Sequence, residues 1–462
     1  MRGIPGTISA PLTSAIHSLA KAVGMDRAIG YTLLNYGITG LSLPVSLYLV
    51  ARYINPVVQG FYFTFSSILA LQVVFELGFS QCIMQFASHE FAHLSFLGNN
   101  TLIGDKVAVS RVSSLMRLAI KWYLMASVVA FCAVGIGGYW FFSFRNSGDI
   151  NWIKPWLVVC SAMAMNLTII PFFSIIEGCN RIPLAAAIRC AGSLARCLVV
   201  CLALASGLQL YALGLSVMTY FLICGAGILY WFHPLFQQLL SVVGDDKLNW
   251  RREIWPFQWK IAISWISGYL VFQLFTPVLF RFHGAVSAGQ FGMTFALIQG
   301  AGSVATAWGA TKIPRYGILI KRKEFEKLDA LWRGATIKSV IIAGLGGLLL
   351  VAGTCLLGRY PRVGSRLLEP IPTLYLAIAT VLNQIVFAQA FYLRAHKREP
   401  FLALSVGGGL ATALLVVWAG REYSALGVSL SYLAVILCIL PWAQAIFVRC
   451  RHNWHRAVPA AS

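Results

Sequence analysis

An all-α polytopic membrane protein is the fold class the sequence predicts: twelve transmembrane helices in two six-helix lobes, with both termini in the cytoplasm. Three observations point to it. Of 462 residues, 58% are hydrophobic and only 11% are charged, with a mean hydropathy of +0.75; soluble domains run near about 45–50% apolar and about 25% charged. The apolar residues fall in runs long enough to cross a bilayer. The basic residues collect in every second connection.

At about 20 apolar residues per crossing, the runs are 30–51, 60–87, 115–142, 155–176, 183–205, 211–232, 257–280, 287–311, 337–357, 371–393, 400–419 and 424–447. Residues 1–29 lack the basic-then-apolar order of a secretory signal, because Pro5, Pro11 and scattered polar residues interrupt them. Within them, 12–24 read as a short amphipathic helix at the membrane surface. The expected organisation is a cytoplasmic or interfacial segment (1–29), an N-lobe (30–232), a cytoplasmic linker (233–256), a C-lobe (257–447) and a cytoplasmic tail (448–462). The run from Lys321 to Lys327, six charged residues around Phe325, reads as an interfacial helix.

The net charge of +21 would suggest nucleic acid on a soluble domain. Here 28 of the 36 Lys and Arg residues lie in the termini (1–29, 448–462) and in the even-numbered loops taken with the adjoining helix ends (88–121, 177–196, 232–260, 312–338 and 393–400). The excess therefore sets orientation, and anionic headgroups are the expected partner instead of nucleic acid. The eleven cysteines form no C-x-x-C pair, and most sit in apolar runs, so no zinc or redox motif is expected and they read as small apolar residues in helices.

An internal repeat supports two lobes. Ala51-Arg52-Tyr53, followed by Gly60-Phe61-Tyr62, aligns without gaps with Phe280-Arg281-Phe282, followed by Gly289-Gln290-Phe291. Six crossings per half return the chain to its starting side. The halves are then parallel repeats, with a substrate path between them.

Polar groups inside the membrane are costly and are functional candidates by default. Glu76 is an acidic residue well inside a span, roughly 24 Å from the outer edge at ~1.5 Å per residue. Its roles are protonation, cation coupling or pairing with an interior arginine. Gln72 and Ser80 share its face by i,i+4 spacing. Thr32, Asn35, Thr39, Ser42 and Ser46 form a stripe on the first helix, and Gln299, Ser303 and Thr306 a shorter one on the eighth. Such stripes either glue helices together or wet a cavity wall. Arg189, Ser193 and Arg196 lie on one helix face, where two guanidinium groups can hold a phosphate or neutralise Glu76. Lys260 and Lys312 read as interfacial anchors.

The stretch Ala51-Arg52-Tyr53-Ile54-Asn55-Pro56-Val57-Val58-Gln59-Gly60-Phe61-Tyr62, followed by Phe75-Glu76-Leu77-Gly78, resembles the start of the MOP flippase superfamily, in particular Wzx-like O-antigen and capsule polysaccharide exporters. Trp265-Ile266-Ser267-Gly268-Tyr269, Pro277, Ala288-Gly289-Gln290-Phe291-Gly292-Met293, Trp308 and Lys312-Ile313-Pro314-Arg315 are similar to the second half of that family. The resemblance implies a bacterial inner-membrane flippase. It would carry an undecaprenyl-diphosphate-linked oligosaccharide to the outer leaflet by alternating access, through a cavity lined by helices 1, 2, 7 and 8. It implies no cofactor, an energy supply from a proton or sodium gradient with Glu76 as the coupling residue, and polysaccharide polymerase and assembly proteins as partners. Helices 1 and 2 carry no basic residue away from their ends, a departure from the family. Arg189, Arg196, Lys260 and Arg281 remain as cations for the diphosphate, with Asn35, Thr39, Gln72 and Gln299 as cavity residues. The alternatives are a MATE-like drug or cation antiporter, and a membrane polymerase or glycosyltransferase built on outer-loop groups such as Asp149, Glu369, Glu422 or His283.

Overall fold

The computed structural model describes residues 44–98, 100–144, 150–242, 248–360, 364–396 and 398–456. Most of the first predicted span, the surface helix at 12–24 and the candidates Asn35, Thr39 and Asp149 lie outside them. Helices dominate. Helix α1 (44–53) leads into α2 (Pro56–Leu69), α3 (Gln72–Glu76) and α4 (Phe79–Phe91), which together follow one predicted span. Then come α5 (Lys106–Ser143), α6 (Ile153–Gly178), α7 (Ile182–Ala205) and α8 (Tyr211–Ser241). After a π-helical turn at Trp250–Ile254, the second half comprises α9 (Trp255–Phe272), α10 (Phe275–His283), α11 (Ala285–Ala310), α12 (Ile313–Lys321), α13 (Phe325–Leu357), α14 (Pro370–Ala395) and α15 (Leu402–Arg456). Helix α15 is broken at Ser424, whose backbone leaves the helical region.

Among the described residues, eight helices are long and apolar enough to cross a membrane, or nine if the pair α9–α10, bent by 45°, is one span. By charge, the connections after α1, α5, α7, α10 and α13 form the charge-poor end and those after α4, α6, α8, α11, α12 and α14 the basic end, while the breaks after α2, α3 and α9 fall inside spans.

The halves start alike. Pro56 and Ala285, which the repeat aligns, each open a helix, and α2 and α11 pack along each other. Between membrane helices apolar burial supplies little drive, so close approach of small residues carries the contact. A Cβ on Gly289 would lie 2.8 Å from the Gly60 nitrogen and 3.2 Å from the Pro56 carbonyl oxygen, and one on Gly60 would overlap the Ala285 carbonyl. Equivalent residues of the two halves therefore touch each other.

Three details differ from expectation. A two-stranded antiparallel hairpin, β1 (Leu94–Phe96) with β2 (Leu102–Gly104), stands at the basic end, so the chain is not purely helical. Gln238 of α8 exchanges two bonds with the Leu102 backbone at 2.7 and 2.8 Å, and Arg181 lies 4.3 Å over the Phe96 ring. The stretch 233–256, read as a linker, is helical as far as Ser241. Lys321–Lys327 is not one surface helix, because Lys323 adopts φ +60° and separates α12 from α13.

Candidate functional site

Two broken helices meet in the middle of the bundle. The break between α9 and α10 follows from Pro277: proline has no N–H for the carbonyl four residues earlier and its ring clashes with it. That carbonyl belongs to Gln273, and Ser67 of α2 donates its hydroxyl to it. The opposing break begins with tight i→i+3 turns, with Leu71 N on Ile68 O at 2.9 Å and Val74 N on Leu71 O at 2.9 Å. It ends at Leu77 (φ +49°) and Gly78 (φ +65°), both left-handed. Glycine takes that conformation freely; at Gly78 a side chain would also strike Ile261 of α9. Leu77 takes it as strain beside the candidate acid.

Beside these breaks lies a cavity of about 430 Å3, lined by α2, α3, α6, α7 and α8 and, from the second half, by Gln273. Its lining mixes Ser66, Gln72, Asn166, Arg196, Tyr220 and Gln273 with apolar side chains, among them Leu69, Met163 and Leu213. Discontinuous helices near the midplane are a recurrent way to present polar groups to a solute inside a membrane. Arg196 is exposed to this space, within electrostatic range of the Tyr62 and Tyr220 hydroxyls. Among the described residues it has no carboxylate partner. The Oδ1 of Asn166 is buried without a donor among the described groups.

The remaining predicted residues disperse. Gln72 shares the cavity with Arg196. Glu76, one turn further on, is buried behind it at 7% exposure and accepts from the Tyr123 hydroxyl at 3.2 Å. The Ser80 hydroxyl and amide also donate to Glu76, which sets the carboxylate at the N-terminus of α4, where the helix dipole favours negative charge. The expected Glu76–arginine pair is absent among the described residues. Arg189 instead bonds Glu177 at 3.1 Å and lies 4.5 Å over the Phe173 ring. Lys260 is exposed beside Trp259 at the basic end. Arg281 lies 4.8 Å over the Phe144 ring at the charge-poor end. On α11, Ser303 bonds the Gln299 carbonyl at 2.8 Å, and Thr306 reaches Gln384 of α14 at 3.0 Å, so that stripe includes a helix-to-helix bond. Of the described groups weighed for an enzyme, His283 bonds the Gly420 carbonyl at 2.7 Å, and Glu422 sits 3.5 Å from Arg421. Among the described residues no cluster of metal-ligating side chains forms.

Sequence reasoning missed Glu177, which stands one residue beyond the apolar run ending at 176 and is carried inward because α6 continues to Gly178. It also missed Gln59, which closes the charge-poor end. The Gln59 amide donates to the Gly289 carbonyl at 2.9 Å and to the Arg366 carbonyl at 3.0 Å, and accepts from the Arg366 guanidinium at 3.2 Å. Gln290 reaches the Ser365 carbonyl at 3.1 Å, and the Leu368 amide donates to Thr294 at 2.9 Å, so segment 364–369 folds over the joint. Beneath it, Phe280 meets Phe61 at 4.9 Å and Phe142 at 5.2 Å between ring centroids. Each such pair adds about 0.5–1.5 kcal/mol beyond area burial.

By sequence, no family model and no curated relative matches the chain. By structure it is similar to an inward-facing multidrug resistance MATE family transporter of the MOP superfamily, with TM-score 0.62 and 13% identity over 93% of this chain and 100% of that one. It is also similar to the lipid II flippase MurJ in an inward closed conformation, with TM-score 0.61 and 12% identity over 91% and 90%. A third similar structure is the MATE multidrug transporter DinF-BH in complex with R6G, with TM-score 0.59 and 12% identity over 92% and 95%. The chain thus has the fold of the MOP superfamily transporters and is a multi-pass membrane protein.

Proposed function

We propose that this chain is a flippase of the bacterial inner membrane, carrying a lipid-diphosphate-linked oligosaccharide to the outer leaflet for surface polysaccharide synthesis. The basic end is then cytoplasmic, and the joint of Gln59, Gly60 and Gly289 closes the outward path in an alternating-access cycle. One observation carries the reading: the cavity beside the broken helices is lined by amides, hydroxyls and a guanidinium. Moving sugar hydroxyls through hydrocarbon costs several kcal/mol per unsatisfied group. Donors and acceptors in a cavity remove that penalty while the lipid tail stays in the bilayer.

The same observation weighs against a MATE-like cation antiporter. A cation site needs anionic ligands in the cavity. Here Glu76 and Glu177 are engaged by Tyr123, Ser80 and Arg189, and neither lines the space. Glu76 remains the proposed coupling residue, one turn from Gln72 and next to the strained Leu77. The test is translocation of a lipid-linked oligosaccharide by the purified chain in proteoliposomes, with product analysis to detect bond formation. Flipping with an intact glycan is expected, and Glu76→Gln should abolish its dependence on an ion gradient while leaving the protein folded. Extrusion of organic cations without glycan flipping would move the chain to the antiporter reading. Unchanged ion dependence in Glu76→Gln would remove the coupling role.

A further inference from the structure

We propose that the cavity beside the broken helices binds an acidic sugar, with Arg196 holding its single carboxylate. The inference rests on the flippase reading and narrows the cargo to a glycan bearing a uronic-acid type residue at the point the cavity grips.

Charge matching is the first argument. Among the described residues lining the cavity, Arg196 is the one cation. One planar guanidinium matches one carboxylate, through two parallel hydrogen bonds. A diphosphate carries more negative charge than one arginine offsets, and uncompensated charge in a low-dielectric cavity is strongly disfavoured. Arg189, the cation on the same helix that would complete a diphosphate clamp, is committed to Glu177. The cavity is therefore a sugar subsite, separate from wherever the diphosphate rests.

The remaining polar groups suit sugar rings. Gln72, Asn166 and Gln273 each present a donor and an acceptor on adjacent atoms, and Ser66 and Tyr220 add hydroxyls. Asn166 contributes an acceptor, Oδ1, that lacks a donor among the described groups. Leu69, Leu213 and Met163 offer apolar surface for the C–H faces of a ring. A volume of about 430 Å3 falls in the range of small-ligand sites and suits a mono- or disaccharide. Most of the lining comes from the first half, and Gln273 is the contact with the second among the described residues.

The experiment uses the full chain in nanodiscs and measures affinity for three probes: a disaccharide with one glucuronic acid, its uncharged uronamide, and inorganic pyrophosphate. The acid should bind at least tenfold more tightly than the uronamide. Arg196→Gln should erase that preference, and Arg196→Lys should retain part of it. Arg196 is exposed in the cavity, so its loss leaves no buried partner charge; if the variant still failed to fold, the acid-to-uronamide ratio in the unaltered protein decides alone. Equal binding of acid and uronamide overturns the proposal, as does pyrophosphate binding tighter than the acid in an Arg196-dependent way. The two readings separate cleanly. Flipping of a lipid-linked glycan without any preference for the carboxylate removes this site and leaves the transport function. Tight, Arg196-dependent binding of the acid without flipping does the reverse.

Discussion

Adding one methyl group at Gly289 should open the charge-poor end of the bundle. The new Cβ would lie 2.8 Å from the Gly60 nitrogen and 3.2 Å from both the Gly60 Cα and the Pro56 carbonyl oxygen. All three are backbone atoms, so no side chain can swing aside. Ordinary contact between such atoms needs about 3.5 Å, so α2 and α11 must separate by roughly half an ångström or more. Overpacking of this kind costs about 1–3 kcal/mol. The penalty falls only on the state in which these helices touch, so it shifts the closed-to-open ratio by about 5–150-fold. Spin labels on noncanonical residues at Ile153 and Ile371, which leave the native cysteines untouched, would read the distance across this end by pulsed electron resonance. Gly344→Ala is the control, since nothing lies within 4 Å of a Cβ there. A longer-distance population should grow in Gly289→Ala and not in Gly344→Ala. An unchanged distance distribution in a folded Gly289→Ala protein would refute the argument that this crossing sets the closed state.

Other perturbations probe the rest of the frame. Gln59→Leu leaves the Gly289 and Arg366 carbonyls without their donor. Stranded polar groups cost about 1–3 kcal/mol each, so the same labels should again report opening; a distribution like the parent's would show the bonds to be dispensable. Pro277→Ala returns an N–H to the helix that can bond the Gln273 carbonyl in place of Ser67. Thermal stability should rise and glycan flipping should fall; unimpaired flipping would remove the break from the mechanism. His396, at the C-terminal end of α14, is held below the ordinary histidine value, first by burial, with Arg398 and His455 adding to the effect and the Tyr392 carbonyl and Asp329 opposing it. The folded state then binds its proton less readily than the unfolded chain. Its contribution is intact above about pH 6.5 and is lost as pH falls below that value towards the folded pKa. Melting temperatures measured from pH 8 to 5 should therefore drop less in His396→Gln than in the parent; equal slopes would show that another group drives the loss.

Much of the helical frame was legible because a bilayer demands long apolar runs, and the basic residues mark alternate connections whatever the packing. The Gly60–Gly289 alignment reported a real contact, since only glycine permits that backbone approach. The breaks were harder to see. Apolar periodicity does not register tight turns at Ala70–Leu71 or a left-handed Leu77, so Gln72, Glu76 and Ser80 were placed on one continuous face. Pro277 carried a readable signal, because the carbonyl it strands is fixed by the i−4 rule. The hairpin strands Leu94–Phe96 and Leu102–Gly104 were too short to stand out between two helices, although Gly98 and Asn100 between them are turn formers. The arginine partner was misassigned for a geometric reason. Glu177 precedes the turn that reverses the chain into α7, and that reversal, not depth along the helix, brings Arg189 to it.

The pairing of Gly60 with Gly289 has a counterpart three residues on, where the same alignment sets Phe63 against Gly292, and these two also touch. Two identical six-helix chains meeting about a twofold axis would have to present the same residue to itself at that point, a ring against a ring or a gap against a gap. A single fused chain escapes that constraint and can seat a knob from one half in a hole in the other. The joint is consequently one that neither half could make with a copy of itself, and exchanging the two residues, Phe63→Gly with Gly292→Phe, should restore what either change alone destroys.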